Sequence, residues 1–383
     1  MAFTNQHEVS EMTNRREFMK ASAGMAALSL SGGFCSRRAM ASTEDTLVKA
    51  ALAAGQNKVV MAMGTGVYLD ALKELFFAPF TKETGIELIF VGGSYDERFG
   101  KLKAMTETGA IDWDIISTTY DAIGSPSVAQ FMTELGDNCS DLPNVVAQGL
   151  DGTCLGNGIL FESGGSVLTY DNRAFPNSGP QSWRDFWDVK RYPGPRALPN
   201  YGNPWVNLIV ALEADGVAPD KLFPMDIDRA FKKLDELRPN ISVWWTSGNQ
   251  SQQIFRDQEV VASLLWNGRA ESLKKEGVPV SFVWDGAPLD ASAWGVIKGA
   301  PHPLAAKALL DYTYSRPEAH AEFAKRMNYA PPNKNAIKFL DADLAKSLVS
   351  APENWNRTVK IDASWLAEHK DEVVKRWTAW ISG

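Results

Sequence analysis

From Lys58 onward, short apolar runs alternate with longer amphipathic ones, and this alternation constrains the fold more than any other feature of the chain. KVVMAMG (58–64), IELIFVGG (86–93) and DWDIISTTY (112–120) read as strands, rich in β-branched and aromatic residues and too short for buried helices. Between them YLDALKELFFAPFTKETG keeps helical spacing up to Gly85, and SYDERFGKLKAMTETG repeats it up to Gly109, a glycine being a common helix stop. Strands joined through helices run parallel and are covered on both faces. The class is therefore α/β.

The second half repeats the pattern with other landmarks. ILFESGGSVLTYD (159–171) is strand-like with a glycine-rich centre, and VVASLLWNG (260–268) and VPVSFVWDG (278–286) read as further strands. Helical spacing marks SWRDFWDV, PWVNLIVALEADG, DIDRAFKKLDELRP, HPLAAKALLDYTYS and RPEAHAEFAKRMN. The tail to Gly383 reads as mostly helical, with Trp365, Trp377 and Trp380 packing inward. A chain of 383 residues exceeds what one core usually holds. Without a repeat, a low-complexity tract or a long linker, two lobes in close contact are expected.

The first 41 residues stand apart. Asn14-Arg15-Arg16-Glu17-Phe18-Met19-Lys20 precedes an apolar run from Ala21 to Leu30, far short of the roughly twenty residues that span a bilayer. Ala39-Met40-Ala41 offers the small residues of a cleavage site. The segment resembles a twin-arginine leader, which implies export of a folded chain through the Tat machinery. The chain carries 39 Lys and Arg against 46 Asp and Glu, a net charge of −7, and removal of this basic leader makes it more acidic. That balance argues against nucleic acid or an anionic membrane as partner. Of the three cysteines, Cys139 and Cys154 would remain after cleavage, and they either pair or stay as two thiols. The histidines after the leader, His302, His320 and His369, show no metal-ligand spacing. No metal or cofactor is expected.

TKETGIELIF, DWDIISTTY, SWRDFWD, VWWTSGNQ, LLWNGRA and YAPPN, in this order, resemble the extracellular solute-binding proteins of ABC importers, in particular their spermidine/putrescine branch. The resemblance implies a two-lobed periplasmic binding protein fold of type II-like arrangement, with a ligand cleft between the lobes. It implies a first lobe of residues 57–166 plus 291–330 and a second of 167–290 plus 331–383, with crossings near 162–170 and 288–296. A periplasmic, monomeric protein is implied, one that captures a small solute by lobe closure and hands it to permease subunits in the inner membrane.

An aliphatic amine needs aromatic faces for its methylenes and carboxylates for its ammonium groups. By resemblance, Tyr120 and Thr118 at the end of DIISTTY and Trp266 in LLWNGRA contact the ligand, and Trp245 is the member of the Trp244-Trp245 pair expected to face the cleft. Asn203 stands where polyamine binders carry acids, and as an alternative caps the helix that starts at Pro204. Asp290 is the carboxylate expected to meet a ligand cation, and Glu162, beside the first crossing, is either a ligand acid or a hinge group. Gly92-Gly93-Ser94, Ser163-Gly164-Gly165-Ser166 and Thr246-Ser247-Gly248-Asn249 would offer backbone N–H groups to a carboxylate, with Ser94 the side chain expected there.

Two solute classes follow: a polyamine-like amine, or a carboxylate-bearing or zwitterionic solute such as an amino-acid derivative. A hydrolase finds less support, because no GxSxG elbow, HExxH helix or Cys/His pair is present.

Overall fold

The computed structural model describes residues 46–383, so the leader lies outside the described residues. Among the described residues ten strands are formed: β1 Lys58–Ala62, β2 Glu87–Val91, β3 Ile115–Thr119, β4 Ile159–Asp171, β5 Arg196–Pro199, β6 Ile241–Trp245, β7 Ala262–Trp266, β8 Val280–Val283, β9 Ala287–Val296 and β10 Thr358–Val359. Their order is β2-β1-β3-β9-β4-β7-β5-β6, with β8 beside β4 and β10 beside β9.

Two parallel sheets result, one at each end of this order. β1 lies between β2 and β3, and β5 lies between β6 and β7, all in parallel register. Antiparallel β4 and β9 join them. Residues Ile159–Gly165 of β4 pair with β9, whereas Ser166–Tyr170 pair with β7. β4 thus changes partner at the glycine pair. Gly164 and Gly165 are there for space: a Cβ on Gly164 would fall 2.3 Å from Asn267 Oδ1, and one on Gly165 would fall 2.8 Å from the Trp284 ring. Their surroundings also take up the backbone donors, since Gly165 N–H donates to Asn267 Oδ1 and Ser163 N–H to Ala330 O. The glycine stretch therefore packs the crossing and leaves those groups unavailable to an anion, contrary to expectation.

Each sheet has its own core. The first gathers Met61, Phe76, Phe80, Ile115, Phe161, Trp294 and Leu309, with Phe161 and Trp294 stacked at 3.7 Å between ring centroids. The second gathers Trp205, Ile209, Leu234, Trp245, Leu264, Trp365 and Trp377. Burying an aromatic side chain of this size contributes roughly 2–3 kcal/mol, so each half has ample means to hold its own shape. The C-terminal helix Ala363–Ser382 packs Trp365 and Trp377 into the second core, with Trp380 at its edge. Cys139 and Cys154 form a disulfide in the first half. Among the described residues no helix is long and apolar enough to cross a membrane.

Candidate functional site

The loops that follow all six parallel strands line one cavity of about 370 Å³. Gly64 and Thr65 follow β1, Gly93 to Tyr95 follow β2, and Thr118 and Thr119 end β3. From the other sheet come Tyr201 after β5, Thr246 to Asn249 after β6, and Trp266 and Arg269 at and after β7. Loops beyond the carboxyl ends of parallel strands are where open α/β sheets bind ligands. The crossing strands supply the floor, with Glu162 on β4 and Asp290 to Ser292 on β9.

Two carboxyl groups face this space. Glu162 accepts a hydrogen bond from the Tyr68 hydroxyl at 2.9 Å. Burial pushes it up to about 8, the Tyr68 bond pulling it down and the Asp290 charge pushing it up. Asp290 lies opposite Gly164 in the β4–β9 register. Burial pushes it up to about 7, aided by the charge of Asp121, while Ala291 N–H and Trp266 favour its ionised form. Among the described residues no basic side chain forms an ion pair with it. A carboxylate desolvated without a cation is costly, and a bound cation relieves that cost.

Two arginines line the same cavity. Arg98, on the helix Tyr95–Thr108, donates Nη1 to Ser117 O at 2.8 Å and to Ala62 O at 3.3 Å, which ties the ends of β1 and β3 together. Burial lowers it to about 10, so it stays charged. Arg269, on the helix Asn267–Lys275, donates to Gln252 Oε1 and, across to the first sheet, to Thr65 O at 3.4 Å. Burial lowers its pKa as well. Buried guanidinium groups with donors to spare suit a carboxylate.

The aromatic wall is a connected set. Trp266 donates its indole N–H to the Tyr201 hydroxyl at 3.1 Å and meets that ring edge-on at 5.1 Å. Tyr201 in turn stacks on Trp245 at 5.4 Å. Tyr68, Tyr95 and Tyr329 complete the lining.

Of the residues singled out in the sequence, Thr118, Trp266, Asp290, Glu162 and Ser94 line the cavity, and Tyr120, Asn203 and Trp245 do not. Trp245 is fully buried and donates its indole N–H to Leu264 O, so it supports Tyr201 from behind. Asn203 is buried with Oδ1 unpartnered among the described residues, and Pro204, not Asn203, caps the helix Trp205–Ala214. Tyr120 opens the helix Tyr120–Ile123 and is 45% exposed. Ser94 has another task than the one expected of its turn. Its hydroxyl accepts from Glu97 N–H and its own N–H donates to Glu97 Oε2 at 2.7 Å, a capping box. Thr246 N–H is likewise taken by Gln250 Oε1. The sequence reading missed Arg98, Arg269, Tyr68 and Tyr201. Among the described residues no group of His, Cys, Asp and Glu is arranged to hold a metal.

The two halves touch across the cavity. Asn249 Nδ2 donates to Thr65 Oγ1 at 3.4 Å, and the Tyr95 ring lies directly on Gly202.

Residues 76–352 match the family described as bacterial extracellular solute-binding protein. The gamma-aminobutyric acid-binding protein of Pseudomonas aeruginosa is 32% identical over 86% of this chain and 92% of its own, and spermidine/putrescine-binding periplasmic proteins are also similar. Among solved structures, AttC of Agrobacterium tumefaciens C58, open and unliganded, is 37% identical over 85% of this chain and 99% of its own, with a TM-score of 0.60. AgtB of A. tumefaciens R10, in complex with agropinic acid, is 27% identical over 85% of this chain and 99% of its own, yet superposes better, with a TM-score of 0.75.

Proposed function

The chain belongs to the bacterial extracellular solute-binding proteins, the periplasmic substrate-binding components of ABC transporters, and from that premise we propose that its solute is a small zwitterion carrying an ammonium and a carboxylate on a short chain. The single observation that carries this reading is the placement of Asp290, a half-buried carboxylate on β9 that forms no ion pair among the described residues, in one cavity with Arg98 and Arg269. The ammonium pairs with Asp290, the carboxylate lies against the guanidinium groups, and Trp266 and Tyr201 cover the methylenes. The gamma-aminobutyric acid bound by the Pseudomonas relative is a solute of this class. Thr118, Ser94 and Glu162 are lining groups in this reading, with Glu162 tied to Tyr68 at the hinge.

A second reading, a polyamine-like diamine, is favoured by the presence of two carboxyl groups, Glu162 and Asp290, in one cavity. It ranks lower because Arg269 already acts on Glu162 and two buried guanidinium groups oppose a second ammonium.

The change of β4 partner at Gly165/Ser166 and the two separate cores support lobes of 57–166 plus 291–330 and 167–290 plus 331–383. Capture then consists of lobe closure over the solute, followed by delivery to inner-membrane permease subunits by a monomer. The Arg15-Arg16 leader directs export by the Tat route, and the Cys139–Cys154 disulfide suits an oxidising periplasm. Binding without chemical change is the activity.

Thermal melting of residues 42–383 with 4-aminobutyrate and with putrescine tests the reading. A ligand at 100 times its Kd stabilises by about 2.7 kcal/mol, a shift of a few degrees. A shift with 4-aminobutyrate and none with putrescine is expected; the reverse rejects the zwitterion.

A further inference from the structure

We infer that Gly202 is a size-determining residue of this site: lacking a side chain, it lets the lobes close until the Tyr95 ring rests on its backbone, and so sets the longest solute that the closed cavity accepts. This rests on the reading of the chain as a binding protein that closes over a short zwitterion.

Gly202 follows β5 in one half, and Tyr95 follows β2 in the other. A Cβ on Gly202 would lie 2.0 Å from Tyr95 Cδ1 and 2.2 Å from Cε1, well inside the roughly 3.5 Å of normal carbon contact. The backbone of Gly202 is not in the left-handed region, so its conformation does not call for glycine. Space does.

Tyr95 has little room to yield. Its ring packs on Phe99 at 4.6 Å, and it is the first residue of a helix whose start is fixed by the Ser94–Glu97 capping box. Tyr95 lines the cavity, as does Tyr201, the neighbour of Gly202. An added methyl therefore holds the two walls apart by about 1.5 Å, roughly one carbon–carbon bond. On the far side of the contact the arrangement is reciprocal: Gly66 of the first half lies under Asn249 of the second, where a Cβ would fall 2.0 Å from Oδ1. The φ of 74° at Gly66 accounts for that glycine by itself, so the test is made at Gly202.

Wild type and Gly202→Ala are titrated calorimetrically with the ω-amino acids from 3-aminopropanoate to 6-aminohexanoate. The expected result is a drop of about tenfold or more for the best wild-type ligand and an optimum displaced to a longer chain, with an unchanged or higher Tm of the ligand-free protein. An unchanged optimum overturns the inference, and so does an optimum displaced to a shorter chain, which would mean that Tyr95 swings into the cavity. Spin labels at Lys103→Cys and Lys232→Cys, exposed residues on opposite halves, give an independent readout. The shortest inter-label distance should lengthen in Gly202→Ala and return when Tyr95→Ala is added; equal distances in wild type and Gly202→Ala overturn the inference. Should wild type bind no member of the series, the solute reading fails while the label distances still decide the role of Gly202.

Discussion

The Tyr68 hydroxyl donates to Glu162 Oε2 at 2.9 Å inside the cavity, linking the helix after β1 to the strand that crosses between the halves. Both groups are buried. Tyr68→Phe leaves the carboxyl group of Glu162 one donor short and pushes its pKa further up. The expected cost is about 1–3 kcal/mol in ligand-free stability, measured by urea unfolding at neutral pH.

Glu162 and Asp290 also make stability depend on pH. Both titrate in the folded chain above their unfolded values near 4, so over a range of pH the folded chain keeps protons that the unfolded chain has released. Their stabilising contribution is full below about pH 4 and is lost as pH rises through about 7 for Asp290 and about 8 for Glu162. His320, held neutral by burial down to about 3, acts oppositely below its unfolded value. The measurement is therefore a difference: stability of wild type minus that of Asp290→Asn/Glu162→Gln should decline from pH 4.5 to 8. A bound ammonium favours ionised Asp290, so binding at pH 6 should release protons, seen as a buffer-dependent heat of binding.

Arg269 reaches the Thr65 carbonyl from the opposite half, and in the proposed reading it serves both the solute and the closed state. Arg269→Lys keeps the charge but loses the planar fork. Affinity for 4-aminobutyrate should fall about ten- to a hundredfold, while affinity for butylamine, which lacks a carboxylate, should change far less. Calorimetry with the two ligands separates these outcomes.

The Cys139–Cys154 disulfide closes a loop whose ends lie fifteen residues apart. A cross-link of that span contributes about 3 kcal/mol by limiting the unfolded chain. Cys139→Ala/Cys154→Ala should lower the unfolding free energy by about that amount and leave ligand affinity nearly unchanged, because neither residue lines the cavity.

The fold was legible wherever hydrophobic period decided it. KVVMAMG and IELIFVGG became β1 and β2, and ILFESGGSVLTYD became β4 over Ile159–Asp171. β5 and β6 were not read as strands. Arg196 and Pro199 interrupt the first, and Trp244-Trp245 drew attention as ligand candidates in the second. Of the residues expected at the site, the acids Glu162 and Asp290 and the ring of Trp266 line the cavity. Its arginines were hidden, because Arg98 sits in a charged helical stretch and Arg269 in LLWNGRA, where either reads as a solvated face. Only folding buries them beside the crossing strands. Trp245 and Tyr201 exchange roles for a similar reason: stacking decides which ring is in front, and sequence spacing carries no record of depth.

The pairing of Asp290 with a ligand ammonium is the centre of the account, and calorimetric titration of wild type and Asp290→Asn with 4-aminobutyrate tests it most directly. Leaving the ammonium without its carboxylate partner in the cavity costs about 2–5 kcal/mol, so affinity should fall at least about thirtyfold while the ligand-free protein keeps or gains stability. Equal affinity in the two proteins, or a wild type that binds putrescine more tightly than 4-aminobutyrate, would contradict it.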